Sequence, residues 1–309
     1  MQRFRCVRCG KTFSESQPLN NLRVEEVKAI QIINLFSEGV GVRAAARLAG
    51  CHSHTVLAVL ETFGEKCEAF LDHRLRNLTV GPLQIDELWA RVGIRQSRTT
   101  PEDQARGDFY TFLALDARTK LIVSHHTGKR DYENTDTFAA DLAFRTVGRV
   151  QITTDGWLAY PDTLRHYLLE RLDYAVMQKN YAASDVEASR RYSPAPFVGI
   201  TVKIKAGNPR RDRICTSHVE RANLSVRTFN RRFTRLCLGW SRKLANHRHA
   251  VAIFVATHNF VKHHSTLGTT PGVGAGLTDH KWTVAELFRA ASEYQVQTLA
   301  IGTQLATIC

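Results

Sequence analysis

Apolar positions change period along the chain, and each change marks a candidate element. Val27, Ile30 and Ile33 recur at three-residue intervals and predict a helix that ends near Gly39 and Gly41. Residues 42–50 read as a short Ala-rich helix ended by glycine, and Ser53 has the side chain of an N-cap for a third helix carrying Val56, Val59 and Leu60. Strand signals begin after residue 79. Residues 82–92 read as a first strand, and 109–115 and 121–125 as apolar strands joined by a turn over 116–120, so the three should form a meander. Asn134 or Thr135 is expected to cap a helix through Phe138, Leu142 and Val147. A strand from Val150 then runs into a turn at Asp155. Pro161 opens a helix with Leu164, Tyr167, Leu168 and Leu172, and residues 174–177 form a further strand. Ile200, Val202 and Ile204 alternate with Thr201, Lys203 and Lys205, which predicts an inserted basic strand or hairpin within 182–213. Val219, Ala222, Val226, Phe229, Phe233 and Leu236 recur at three and four and predict one amphipathic helix from about Ser217. A helix over 243–261, a Gly/Pro-rich loop over 268–276 and a terminal helical stretch from Thr283 complete the chain.

This order divides the chain into four regions: 1–23, a helical module over 24–78, an α/β region over 79–265, and a loop and helical tail over 266–309. Three sheet strands, then helix, strand, helix, strand and helix, is the order of a ribonuclease H-like (retroviral-integrase-like) α/β fold. In the second region two short helices meet at a tight Gly-containing turn, the pattern of a helix-turn-helix. Arg43, Arg47, His52 and His54 would then meet phosphates or base edges. A generic three-helix packing module is the alternative.

Charge narrows the choice of partner. The 309 residues hold 42 Lys or Arg against 29 Asp or Glu, a formal charge of +13. Residues 203–248 carry 13 basic side chains against Asp212 and Glu220, so that window alone holds +11. Charge concentrated in this way favours a polyanion, with double-stranded DNA ahead of an anionic membrane surface because no amphipathic anchor accompanies it. The longest purely apolar stretch, 250–256, is too short to span a bilayer, and the amino terminus lacks a signal-peptide core. A cytoplasmic, DNA-associated protein is expected.

Seven cysteines are irregularly spaced, which argues against a disulfide framework. Only Cys6 and Cys9 have ligand spacing, like one knuckle of a zinc ribbon. Two thiolates leave half a tetrahedron open, so structural zinc is not expected from them alone.

Three acids stand out by position: Asp86 after an apolar run in the first strand, Asp155 where the fourth strand ends, and Glu220 early in the amphipathic helix. At about 100° per residue, Arg227 and Arg231 would share nearly the Glu220 face. Such a face suits a metal site bordering a phosphate track. Phosphodiester cleavage needs a nucleophile made from water and a stabilised leaving oxygen. Two Mg²⁺ ions about 4 Å apart, or Mn²⁺ in their place, do both when carboxylates hold them. Taken singly, acids such as Glu87 and Asp116 read as solvated strand and turn residues. Ser217, His218 and Glu220 lie close in sequence, but no nucleophile elbow accompanies them. His218, Asn223 and Trp157 are instead candidates to support the carboxylates. Trp157 and Trp240 read as core or platform aromatics.

The segments Gln84-Ile-Asp-Glu-Leu-Trp, Thr154-Asp-Gly-Trp and Thr216-Ser-His-Val-Glu-Arg-Ala-Asn-Leu-Ser-Val-Arg resemble the motifs of DDE transposases, in particular those related to the small bacterial element insertion sequence one. The resemblance continues through Arg231-Arg-Phe-Thr-Arg-Leu, Lys243-Leu-Ala-Asn-His, His258-Asn-Phe-Val-Lys-His-His-Ser-Thr-Leu and Gly276-Leu-Thr-Asp-His. It implies a helix-turn-helix, a ribonuclease H-like catalytic domain and Mg²⁺-dependent cutting and joining at element ends by a homo-oligomer on DNA in a bacterial cytoplasm. Asp86, Asp155 and Glu220 match the three catalytic, metal-binding positions. Arg43, Arg47, His54, Lys203, Lys205, Arg221, Arg227, Arg231, Arg232, Arg235 and Lys243 are the expected DNA contacts. The chain departs from the family in starting inside the zinc ribbon, so an upstream start, a separately encoded first part or a truncated copy is expected. The separation 220 − 155 = 65 is long for some DDE groups, and the basic insert accounts for it. A catalytically silent DNA-binding protein and a nuclease or resolvase that only hydrolyses are the alternatives.

Overall fold

The computed structural model describes residues 24–182, 196–235 and 237–294, with 3–5, 7, 9, 10, 12–14, 19 and 22 before them. Cys6, most of the stretch between 182 and 197, Leu236 and the end from 295 lie outside the described residues. At the start, β1 (Arg3–Arg5) pairs antiparallel with β2 (Thr12–Ser14).

Three helices follow: α1 (Glu26–Ser37), α2 (Val42–Leu48) and α3 (Ser53–Arg74). Ser53 is the first residue of α3 rather than its cap. His52 takes that position, and its Nδ1 accepts from the His54 amide at 3.3 Å. The apolar stripe of α3 continues through Phe63, Cys67, Phe70 and Leu71, all fully buried, so the helix runs to Arg74.

The sheet then assembles in the order expected from the strand pattern. Its first strands are β3 (Leu83–Val92), β4 (Gly107–Asp116) and β5 (Ile122–Gly128), an antiparallel meander. Next come α4 (Tyr132–Arg145), β6 (Val150–Thr154), α5 (Tyr160–Leu168), β7 (Leu172–Tyr181) and β8 (Phe197–Ala206). The spatial order is β5-β4-β3-β6-β7-β8, with β6 parallel to both β3 and β7, and β8 antiparallel to β7. This is a mixed α/β architecture consistent with the ribonuclease H-like expectation, with β8 added as an edge strand. The cap of α4 is Asp131, whose Oδ1 accepts from the Asn134 amide at 2.9 Å, not Asn134 or Thr135. Val147 lies beyond that helix, and Leu172 opens β7 instead of closing α5.

After the sheet come α6 (Ser217–Phe229), α7 (Leu244–Phe260), the one-turn α8 (Pro271–Gly274) and α9 (Val284–Ser292). The single helix expected from Ser217 through Leu236 stops at Phe229. Asn230 ends it: its backbone is extended, its side-chain amide donates to the Ala250 carbonyl at 3.1 Å, and its Oδ1 accepts from the Arg232 amide. An Asn that bonds neighbouring backbone in this way competes with helix continuation. Phe233 is still buried, but from a separate 3₁₀ turn.

The first and last helices share one core. α3 packs along α7 and against α9, and Phe70 meets Phe260 and Trp282 at ring distances of 5.2 and 5.8 Å. Gly64 makes the α3–α7 approach possible, because a Cβ there would stand 2.8 Å from the His249 Cα. Two polar side chains tie this helical layer to the sheet. Arg145 of α4 donates to the Leu71 and Leu75 carbonyls at the end of α3 while pairing with Asp141 at 2.6 Å. Asn259 of α7 both accepts from and donates to the Ile122 backbone at 3.0 Å, closing the start of β5. None of the described helices is long and apolar enough to cross a membrane.

Candidate active site

β3 reaches α6 at two points, and these fix the site. Gln84, 1% exposed, accepts through Oε1 from the His218 amide at 2.9 Å and the Val219 amide at 3.0 Å. Both are first-turn donors that a helix cannot satisfy internally. Two residues on and on the same face of the strand, Asp86 accepts at Oδ2 from Asn223 Nδ2 at 2.7 Å. Two strand residues advance about 6.7 Å, and the four residues from Val219 to Asn223 advance about 6 Å along a helix. The spacings match, so the turn of α6 that carries Glu220 is held between these two contacts.

Across the sheet, β6 pairs with β3 only at Leu83 and Gln84, and it ends at Thr154. Asp155 therefore emerges beside the point where β3 carries Asp86 and Glu87. Its Oδ1 accepts from the Trp157 amide at 3.0 Å, and the Trp157 indole is held in turn by Thr135. One carboxylate oxygen each from Asp86, Glu87 and Asp155 lies within 4.8 Å of the others.

Glu87 and Asp116 were expected to be solvated, and neither is. The Glu87 side chain is 3% exposed, accepts from the Tyr160 hydroxyl and pairs with Arg130 at 3.0 Å. Arg130 also reaches Asp155 at 3.5 Å and lies over the Trp157 ring at 4.5 Å. Asp116 is buried and organises the turn after β4, accepting from the amides of Gly81 and Arg118 and from the Thr119 hydroxyl. A residue directly after an in-strand acid normally points to the other face of the sheet. Glu87 joins the cluster because Asp155 stands past the end of its strand, where both faces are reachable.

The electrostatics of the cluster follow from burial. Burial pushes the Asp86 carboxyl up to about 6; the Asp155 and Glu220 charges add, while the Glu87 amide and Arg227 oppose. Burial and the Asp155 charge push Glu87 up to about 7, against the Tyr160 hydrogen bond and Arg130. Glu220 stands apart from the three-carboxylate cluster. Lys179 of β7 contacts its two oxygens at 2.6 and 2.5 Å, and Thr216 donates to Oε1 at 2.8 Å. The Asn223 Oδ1, on the same side chain that holds Asp86, is buried without a partner. Hard oxygens, crowded like charges and an orphaned buried oxygen together fit a divalent cation.

Other expected residues divide by placement. Arg43, Arg47 and His54 are exposed on α2 and the start of α3, and Lys203 and Lys205 are exposed on β8. Arg221 is exposed near the start of α6, and Arg231, Arg235 and Lys243 are exposed between the end of α6 and the start of α7. Arg231 does not extend the Glu220 face of α6, because it lies past Asn230 in the 3₁₀ turn. Arg227 is half-buried, with its pKa lowered by burial and by Arg235. Arg232 turns inward: Nε donates to Ser241 Oγ at 2.7 Å, and burial brings its pKa down to about 10, so it does not present to a phosphate. The His218 ring contacts Lys120 Nζ at 3.2 Å rather than a carboxylate. Cys9 is exposed, and Cys6 lies outside the described residues, so that pair has no geometry here.

No protein-family model matches the chain, and no curated protein matches it. Among solved structures it is similar to the piggyBac transposase in a synaptic complex with hairpin DNA, at 9% identity and a TM-score of 0.37, over 86% of this chain and 70% of that one.

Proposed function

We propose that the chain is a metal-dependent DNA transposase, cutting and joining phosphodiester strands at the carboxylate cluster where β6 ends beside β3, next to α6. The convergence of Asp86, Glu87 and Asp155 carries this reading, since three carboxylates this close are costly unless a cation balances them. The basic window over 203–248 supplies the matching surface for DNA. In the finer form of the proposal, related to insertion sequence one, Asp86, Asp155 and Glu220 are the catalytic acids and Glu87 is a fourth acid behind them. The exposed cations on α2, the start of α3, β8 and around α6 would track DNA, with α2 and α3 acting as a helix-turn-helix.

Asp86, Asp155 and Glu220 would hold the cation, or a pair of them, from two strands and a helix. A bound divalent ion supplies Lewis-acid stabilisation of phosphoryl charge and lowers the pKa of water. The chain's own groups set the geometry. Asn223 fixes the Asp86 rotamer, and the Trp157 amide fixes Asp155. Arg130 offsets the charge of Glu87 and Asp155 and is placed to move onto a phosphate oxygen. Tyr160 keeps Glu87 turned inward.

The test uses the full chain and a supercoiled plasmid carrying the DNA that flanks its gene, with Mg²⁺ or Mn²⁺. Asp86→Asn and Asp155→Asn should fold and bind DNA yet lose cleavage and joining by orders of magnitude. Parental cutting by Glu220→Gln, with loss in Glu87→Gln, would move the third acid to Glu87. Cleavage without joining would make the protein a nuclease. Salt-sensitive binding with no cleavage by the parent would leave a silent DNA-binding protein.

A further inference from the structure

β3 carries an exposed aromatic beside the acids that the site geometry does not use. Trp89 is 48% exposed in the middle of a ten-residue strand whose other apolar members, Leu83, Ile85, Leu88, Ala90 and Val92, are all buried. The other three tryptophans have partners. Trp157 and Trp282 donate to Thr135 and Thr278, and Trp240 lies under the Arg91 guanidinium at 3.5 Å. Among the described residues, Trp89 makes no side-chain hydrogen bond and no cation covers its ring.

The sheet explains why this indole is uncovered. β6 leaves β3 after Gln84, and the next strand-like contact on β3 is the isolated bridge from Val92 to Ser241. Between them lies a gap along the sheet. The carboxylate cluster is at one end of it, and Arg91 stacked on Trp240 is at the other. Glu87, Trp89 and Arg91 alternate onto one face of β3, so the indole sits between the Glu87 carboxylate and the guanidinium. Its cross-strand neighbour is Tyr110, over which Arg130 lies at 5.8 Å. Arg91 is half-buried, and its Nε is buried with no hydrogen-bond partner. An open aromatic face between two arginines offers stacking and phosphate charge together, the combination that suits a single-stranded nucleotide better than a paired one.

We infer that Trp89 is a stacking platform for an unpaired base of the DNA strand held at the Asp86–Asp155 cluster, with Arg91 and Arg130 on the flanking phosphates. This rests on the DNA reading proposed above. A paired base keeps its faces inside the duplex, so the platform would select ends that are splayed or already single-stranded.

Fluorescence anisotropy in EDTA, which prevents cutting, tests this with three duplexes: one blunt, one ending in three unpaired nucleotides, and one in which those three are abasic. The parent should bind the splayed end more tightly than its abasic counterpart, by about 5- to 150-fold if one base stacks fully. Trp89→Ala should bind the blunt duplex as the parent does but no longer distinguish base from abasic. Trp89→Phe should recover most of the difference. Unaltered discrimination by Trp89→Ala would overturn the platform and leave the DNA reading standing. Equal weakening by Trp89→Ala on all three duplexes would also overturn it, because the residue would then serve the surface in general. If the parent binds none of the three, both readings fall.

Discussion

Lys179 on β7 holds both carboxylate oxygens of Glu220 on α6, at 2.6 and 2.5 Å, and Glu220 stands outside the Asp86–Glu87–Asp155 cluster. The ammonium occupies the charge that a cation would need. Both partners are part-exposed, 32% and 41%, so the pair is worth at most about 1 kcal/mol to stability. Lys179→Met should therefore change the melting midpoint little. It should tighten Mn²⁺ binding by about two- to five-fold, the factor released when a competing surface pair is removed. Mn²⁺ titration followed by electron paramagnetic resonance reads this directly. Unchanged or weaker binding would place Glu220 outside the cation's shell.

The raised carboxyl of Glu87 predicts a pH effect whose sign can be fixed. Its ordinary value is 4.5 and in the fold it rises to about 7. Between those values the folded state holds a proton that the unfolded chain has released, so stability from this group falls as pH rises through the window. It is fully present only below about pH 4. Buried histidines run the other way: His247 and His258 are held down to about 3 and 4 by burial, and they cost stability as pH falls below the ordinary histidine range. The difference between the parent and Glu87→Gln isolates the carboxyl. Without divalent metal, Glu87→Gln should gain on the parent from about pH 4.5 to about 7 in thermal denaturation and level off above that. A pH-independent difference would show that Glu87 is not carrying the proton. Adding Mg²⁺ at pH 8 should raise the parent's midpoint and leave that of Asp86→Asn in place.

Most of the sheet was legible because period and turn residues agree there. The meander through 82–125 and the strand–helix–strand run after Val150 need no long-range information. Asp86 and Asp155 were legible for the same reason, Asp86 following an apolar run inside a readable strand and Asp155 standing just past the end of one. Glu87 was not. In-strand alternation puts it opposite Asp86, and only the early departure of β6 brings Asp155 to both. The apolar spacing makes α6 seven residues too long because Phe233 keeps the period, while the competing hydrogen bond from Asn230 to Ala250 depends on where α7 packs. Trp89 could have been found from its outward parity in β3, between buried Leu88 and Ala90.

Charge on the surface should separate from charge that has turned inward. Arg221, Arg231 and Arg235 are exposed, whereas Arg232 is drawn to Ser241. The Arg221→Ala, Arg231→Ala, Arg235→Ala protein should keep its stability and flatten the salt dependence of DNA binding, by up to about 0.9 in slope for each phosphate no longer neutralised. Arg232→Ala should leave the slope unchanged and lower stability, since it strips packing and the Ser241 hydrogen bond from the base of α7. An unchanged slope in the triple variant would put the DNA path elsewhere.

The bracket of Glu220 by Gln84 and Asn223 makes two separable predictions. Gln84→Leu keeps side-chain bulk but leaves the His218 and Val219 amides without an acceptor. Orphaning buried donors costs about 1–3 kcal/mol each, so stability should drop on that scale and both amides should exchange hydrogen faster. Glu220 lies in the turn that these amides begin, so strand cleavage should fall through loss of its placement while Asn223 still holds Asp86. Asn223→Ala acts at the other end. The His218 and Val219 amides should stay protected, and the loss should show as weaker Mn²⁺ binding, because Asp86 is no longer held in one rotamer. Hydrogen exchange and Mn²⁺ titration on the two proteins distinguish the effects. Parental amide protection in Gln84→Leu would mean that α6 is seated by its apolar stripe of Val219, Ala222 and Val226 alone, and that β3 does not set the position of Glu220.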